Sequence, residues 1–161
     1  MIRPLATKSA DPSFKNVHRL GFGSYVATVR EALVNARSKV VVITPFIDNA
    51  GIDLVQESWE TRSAKNSEWE IYVRSANARL QRLASRCGWE LYEYPVGGDA
   101  GMHAKIVSTD DRRLILGSMN LLSRNMYTNL ELGVEVTDDP IVYRLSRLEN
   151  WLRDASRRRV P

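Results

Sequence analysis

Residues 103–110 read His-Ala-Lys-Ile-Val-Ser-Thr-Asp, with Gly117-Ser118-Met119-Asn120 and Glu131 downstream. In an extended segment, residues two apart point the same way, so His103 and Lys105 should stand side by side. An imidazole can attack phosphorus or move a proton near neutral pH. Lys105 supplies a compact positive charge, and Ser118 and Asn120 can donate to phosphoryl oxygens. Glu131 is placed to hold the second imidazole nitrogen, fixing the tautomer and raising basicity. Gly117 should let the backbone approach a ligand. This is the chemistry of a phosphate-ester site, and none of it requires a metal ion.

The spacing His-x-Lys-x-x-x-x-Asp followed by Gly-Ser-x-Asn resembles the signature of the phospholipase D superfamily. That resemblance implies a metal-independent phosphodiesterase without cofactor. His103 would be the nucleophile that forms a phosphohistidine. Lys105 and Asn120 would bind phosphate, Ser118 would assist, and Glu131 would orient the histidine. Asp110 would support the motif structurally. The implied fold is α/β, a mixed, mostly parallel central sheet flanked by helices on both faces.

The elements that must carry these groups are legible in part. Val26, Val29, Leu33 and Ala36 recur at helical spacing, predicting a helix over 25–38 with Ser24 as its cap. Lys-Val-Val-Val-Ile-Thr-Pro-Phe over 39–46 reads as a central strand, apolar on both faces. A helix is expected from about Asp53 to 67, a strand over 68–75, and a helix from Ala78 to Cys87 stopped by Gly88. A strand over 89–96 follows. Helix and strand alternate, which favours a sheet with helices packed on it.

A glycine-rich stretch, Gly97, Gly98 and Gly101, then forms a lip on the site, either admitting substrate or merely connecting. Strands over 103–108 and 113–116 should make a hairpin turning at Asp110-Asp111-Arg112. A loop or short helix over 120–127 precedes a strand over 130–137. Asp138 or Asp139 can cap a final helix with Pro140 at its first position. Ile141, Leu145, Leu148, Leu152 and Ala155 would form one apolar stripe docked on the sheet.

Length and composition suit one domain, 21–161, with a basic C-terminal helix and tail, preceded by an irregular arm over 1–20. The chain carries 23 Lys and Arg against 19 Asp and Glu. Residues 1–143 balance at 17 of each, so the excess lies in the last helix and tail, ending in Arg157, Arg158 and Arg159. These three, with Arg124, are candidate nucleic-acid contacts. A single cysteine, Cys87, excludes an internal disulfide and reads as a small core residue. His18 has no metal-ligand spacing beside it. With no secretory or membrane-spanning run, a cytoplasmic setting is expected.

One histidine cannot both attack phosphorus and protonate the opposite oxygen. One copy of the motif therefore predicts a homodimer whose two-fold axis passes between two His103 side chains. Resemblance to the small single-motif dimeric nucleases favours an endonuclease acting on DNA, and on RNA as a further substrate. It also makes a protein partner in a defence or restriction system conceivable, with no membrane involved. The alternatives are a phospholipase D or phosphatidyl transferase, which needs an apolar channel beside His103, and a non-catalytic nucleic-acid-binding module.

Overall fold

A computed structural model describes residues 1–7, 23–94, 101–146 and 148–158. At its centre lies β3 (Lys39–Ile43). Its β-branched side chains are buried on both faces, Val40 and Val42 in one core and Val41 and Ile43 in another. Parallel to β3 runs β4 (Glu68–Val73), and parallel to that β5 (Glu90–Glu93). On the other side β3 pairs antiparallel with β6 (Ile106–Thr109), which begins a meander through β7 (Arg113–Gly117) to β8 (Leu132–Thr137).

The expected mixed sheet is present, but its parallel share is smaller than anticipated. Among the described strands three pairings are parallel and five antiparallel. Helical crossovers join the parallel neighbours β3, β4 and β5, whereas a tight turn makes β6 and β7 antiparallel and most of the remaining antiparallel pairs bring together strands distant in sequence.

Two strands arise where an irregular arm and a helix end were expected. Ile2–Ala6 forms β1, antiparallel to β8 and joined by a short parallel β2 (Gly23–Ser24). Pro4 disguises β1 in the sequence, yet β2 pairs only with Leu5 and Ala6, so the missing Pro4 N–H costs no ladder bond there. At the opposite edge, the backbone of Arg157–Arg158 forms β9 against β5. Arg159, His18, Gly97 and Gly98 lie outside the described residues.

Helices cover both faces. On one side α1 (Tyr25–Asn35), α2 (Asn49–Thr61) and α3 (Ala78–Cys87) share a core with β3, β4 and β5. Cys87 packs partly buried against it. Ser24 precedes α1 without a capping side-chain bond; its carbonyl accepts the Thr28 hydroxyl at 2.7 Å instead. The second helix starts earlier than its apolar spacing suggested, because the Asp48 carboxylate accepts from the N–H groups of Ala50 and Gly51. Asn77 caps α3, and Gly88 ends it with φ 72°.

After the five-residue α4 (Ser123–Tyr127), α5 (Pro140–Ser146) and α6 (Leu148–Ala155) follow β8. Asp139 caps α5, accepting from Ile141 N at 2.9 Å. The predicted stripe needs correction at its start, since Val142 is fully buried and Ile141 is exposed. Leu152 does dock on the second face, with Val41, Ile43, Tyr72 and Tyr92. Beside it Arg153 donates to buried Glu70 at 2.6 Å, as does the Tyr72 hydroxyl.

The turn between β6 and β7 explains Asp110. Asp110 and Asp111 have φ of 57° and 53°, and Arg112 N bonds Thr109 O at 3.1 Å, a type I′ geometry. The Asp110 carboxylate accepts from Arg37 N at 2.9 Å, Ser38 N at 2.7 Å, Ser38 Oγ at 2.9 Å and Lys39 N at 3.0 Å. It thus fastens the motif hairpin to the start of β3. Burial alone would raise its pKa, but the N–H groups of Lys39, Ser38 and Arg37, with the Ser38 hydroxyl, hold it below the usual 3.8. A depressed carboxyl pKa stabilises the fold above the unfolded value and ceases to do so as pH falls through the folded one. Asp110→Asn should therefore lose about 1.5 kcal/mol at pH 7. In urea unfolding, its deficit against wild type should shrink below about pH 4.

Candidate active site

The five motif residues gather at one edge of the sheet. This is the carboxyl edge of β3 and β4, the end where ligands bind in open α/β sheets. Because β6 runs antiparallel to β3, its entry segment with His103 and Lys105 lies there. The end of β7, with Gly117 and Ser118, and the start of β8, beside Glu131, return to the same edge.

Regular strand begins only at Ile106, so His103 and Lys105 occupy the extended lead into β6 rather than the strand itself. They are nevertheless neighbours, as the alternation predicted. Lys105 Nζ lies 3.1 Å from His103 Nε2 and donates to the His103 carbonyl at 2.7 Å. A protonated ammonium can only donate, so with Lys105 charged the contact is a donation to the Nε2 lone pair, which assigns the ring proton to Nδ1. His103 is exposed, whereas Lys105 is 7% exposed. Burial lowers the Lys105 pKa from 10.5; Glu131 opposes this and Arg74 reinforces it.

Glu131, 7% exposed, accepts from the Ser118 hydroxyl and from the Asn125 amide. Its backbone N donates to Thr7 Oγ1 at 2.8 Å. Within one chain, therefore, the carboxylate braces Ser118, while the His103 ring bonds Lys105 among the described residues. The buried amide oxygen of Asn120 has no hydrogen-bond partner. A half-turn of that amide would present its NH2 donors to a phosphoryl oxygen instead.

Gly117 serves a different purpose from the one expected. A Cβ there would lie 2.5 Å from Tyr25 Oη and 2.4 Å from Leu132 O. Gly133, its partner in register, is crowded by the same ring. The two glycines make room for Tyr25, which sits under the 117–120 loop and is hydrogen-bonded to the Met119 backbone. Burial, and then the charge of Glu131, push the Tyr25 phenol up, so it remains a neutral support.

Tyr25, Thr7 and Asn125 were not singled out from sequence, and neither was Arg74, which follows β4 and faces Gly101. A threonine, a tyrosine at a helix start and an asparagine six residues before Glu131 carry no local signal. Arg124 is exposed on α4. Beside His103 opens a cleft of about 210 Å³, lined in part by Tyr94, Met102, Ala104, Trp151 and Leu152.

The sequence matches the family model described as "Cardiolipin synthase, PLD-like domain" over residues 27–152. No curated protein matches significantly. Nuc, a phospholipase D family member from Salmonella typhimurium, superposes with TM-score 0.69 at 16% identity, over 100% of this chain and 99% of its own. NucT from Helicobacter pylori gives 0.70 at 11% identity, over 97% and 98%. Phosphatidylserine synthase from Haemophilus influenzae gives 0.72 at 16% identity, over 98% of this chain but 39% of its own. At such identities the likeness establishes the fold. Among the described residues no helix is long and apolar enough to cross a membrane.

The lowered Lys105 pKa has a measurable consequence. Sulfate keeps one charge state over the alkaline range, so its affinity should follow the ammonium. Calorimetric titration should show binding fall as pH rises, with a midpoint below 10.5. In Glu131→Gln the midpoint should move lower still, because the charge that raises the Lys105 pKa is gone. A wild-type midpoint at or above 10.5 would contradict the assignment.

Proposed function

The chain belongs to the phospholipase D-like domain family, and from that premise we propose that it is a metal-independent endonuclease, active on DNA, with RNA as a further substrate. The observation that carries this reading is the lone, exposed His103 whose Nε2 lone pair is held beside buried Lys105. Ser118 and Asn120 flank the same edge, where a phosphoryl group would take the Ser118 hydroxyl from Glu131 and the amide of Asn120 after a half-turn. Nuc and NucT match the chain over nearly their whole lengths, whereas the synthase extends well beyond it.

In the proposed reaction His103 Nε2 attacks phosphorus and a P–N bond forms as the P–O bond to the leaving group breaks. Lys105 and Asn120 neutralise charge on the non-bridging oxygens. The leaving oxygen needs a proton from the opposite side. We assign that role to His103 of a second copy across a two-fold axis, which then activates the water that cleaves the P–N bond. Exposed Leu132 and Tyr127 near this edge, at 48% and 56%, suit burial in such a dimer. Contacts limited to the backbone phosphates would give little base preference. Arg124 and the arginines at 157–159 are secondary contacts in this proposal, and a defence or restriction partner remains part of it only through the family resemblance.

The cleft beside His103 favours a second reading, a phospholipase or phosphatidyl transferase whose diacylglycerol lies against Met102 and Trp151. Plasmid nicking in EDTA decides between them. Wild type should nick without added metal, and His103→Ala should be slower by at least about a thousandfold. The particle should have twice the 18.3 kDa chain mass in solution. Turnover of phosphatidylglycerol vesicles with intact plasmid would select the lipid reading. Salt-sensitive DNA binding, unchanged in His103→Ala and without turnover by wild type, would select a binding module.

A further inference from the structure

Arg74 is a cation without an assigned task. It stands directly after β4, and its backbone N donates to Pro45 O at 3.2 Å, tying the ends of β4 and β3 together. Its guanidinium carbon lies 5.4 Å from the centroid of the Phe46 ring, which is 45% exposed. The same guanidinium presses on Gly101 so closely that a Cβ at that position would fall 1.8 Å from Nη2. Glycine here leaves the room that Arg74 occupies. The buried Nε has no hydrogen-bond partner, and no carboxylate pairs with the guanidinium among the described residues.

Arg74 also acts electrostatically on Lys105, depressing its pKa. Two partly desolvated cations thus share one mouth, and among the described residues Glu131 acts on Lys105 while no carboxylate pairs with Arg74, so an arriving anion would stabilise the arrangement. The two cations stand on strands that are not neighbours in the sheet. Lys105, Ser118 and Asn120 approach from β6 and β7, whereas Arg74 comes from β4, two strands away from β6. The axes of β4 and β6 lie about 10 Å apart. Phe46 fixes the planar group from below, so little freedom is lost when it binds.

We infer that Arg74 holds the phosphate next to the scissile one, and that the site is built for a polynucleotide rather than for an isolated phosphodiester. The inference rests on the nuclease reading and adds a second phosphate subsite to it. Phe46 and Gly101 are positioning residues that keep the guanidinium over this subsite. A phospholipid with one phosphodiester offers nothing for Arg74 to bind.

The test compares two substrates in EDTA, a single-stranded decanucleotide and bis(p-nitrophenyl) phosphate, which has one phosphate only. Arg74→Gln should lower kcat/KM on the oligonucleotide by about tenfold or more while leaving the small diester within about twofold. Phe46→Leu should repeat the pattern more weakly, and Arg74→Lys should recover part of the loss. Independently, the log–log salt dependence of oligonucleotide binding should flatten by about one phosphate contact in Arg74→Gln. Equal losses on both substrates would place Arg74 on the scissile phosphate and overturn the inference. So would an unchanged oligonucleotide rate, or an unchanged salt slope in a variant with a wild-type melting temperature. If wild type cleaves no nucleic acid, the nuclease reading and this inference fall together. If it does and Arg74→Gln matches it, only this inference falls.

Discussion

The site depends on a buried ammonium. Lys105 lies almost out of solvent, with a histidine nitrogen on one side and a buried glutamate acting on it from nearby. A cation in that position is tolerated because the His103 carbonyl accepts from it and because Glu131 offsets part of the desolvation. The same contact fixes the tautomer of His103. Charge placement and the orientation of His103 are therefore one arrangement. It would be disturbed by whatever moved Lys105 relative to the entry of β6.

Holding that arrangement falls to residues outside the motif. Tyr25 fills the space left by Gly117 and Gly133 and supports the 117–120 loop from below. Thr7 pins the Glu131 backbone, joining the amino-terminal segment to the site. Asp48 caps α2 and also accepts from Ser123 N at 2.8 Å, so the helix start and the site loop share one carboxylate. Gly51 permits close packing of that first turn on Leu121. Asp110 works at the other end of the hairpin, remote from phosphate chemistry, and sets the depth at which β6 enters the sheet.

The two faces of the sheet divide the labour. The face under α1, α2 and α3 carries the larger apolar core. The other face is closed by α6, through Leu152 and the Arg153–Glu70 pair. That pair commits one of the six C-terminal arginines to a buried carboxylate. Basic charge counted along the sequence thus overstates what the tail can offer, while Arg74, isolated in the sequence, is the cation that faces the motif.

Much was legible from the sequence alone. His103, Lys105, Asp110, Ser118, Asn120 and Glu131 announce themselves because short strands and tight turns keep spacing and orientation local. The β-branched run of β3, the Gly88 end of α3 and the hairpin turn follow from the same local physics. Tertiary structure decided the rest. Pairing of β1 with β8 joins residues more than a hundred positions apart, and Pro4 hides it. The helix start at Asn49, the roles of Tyr25, Thr7 and Asn125, and the use of Gly117 for packing depend on what lies opposite across the fold. Arg74 acquires meaning only when the sheet sets β4 two strands from β6. Spacing along a chain encodes which way neighbouring side chains point; it does not encode which distant surface they will meet.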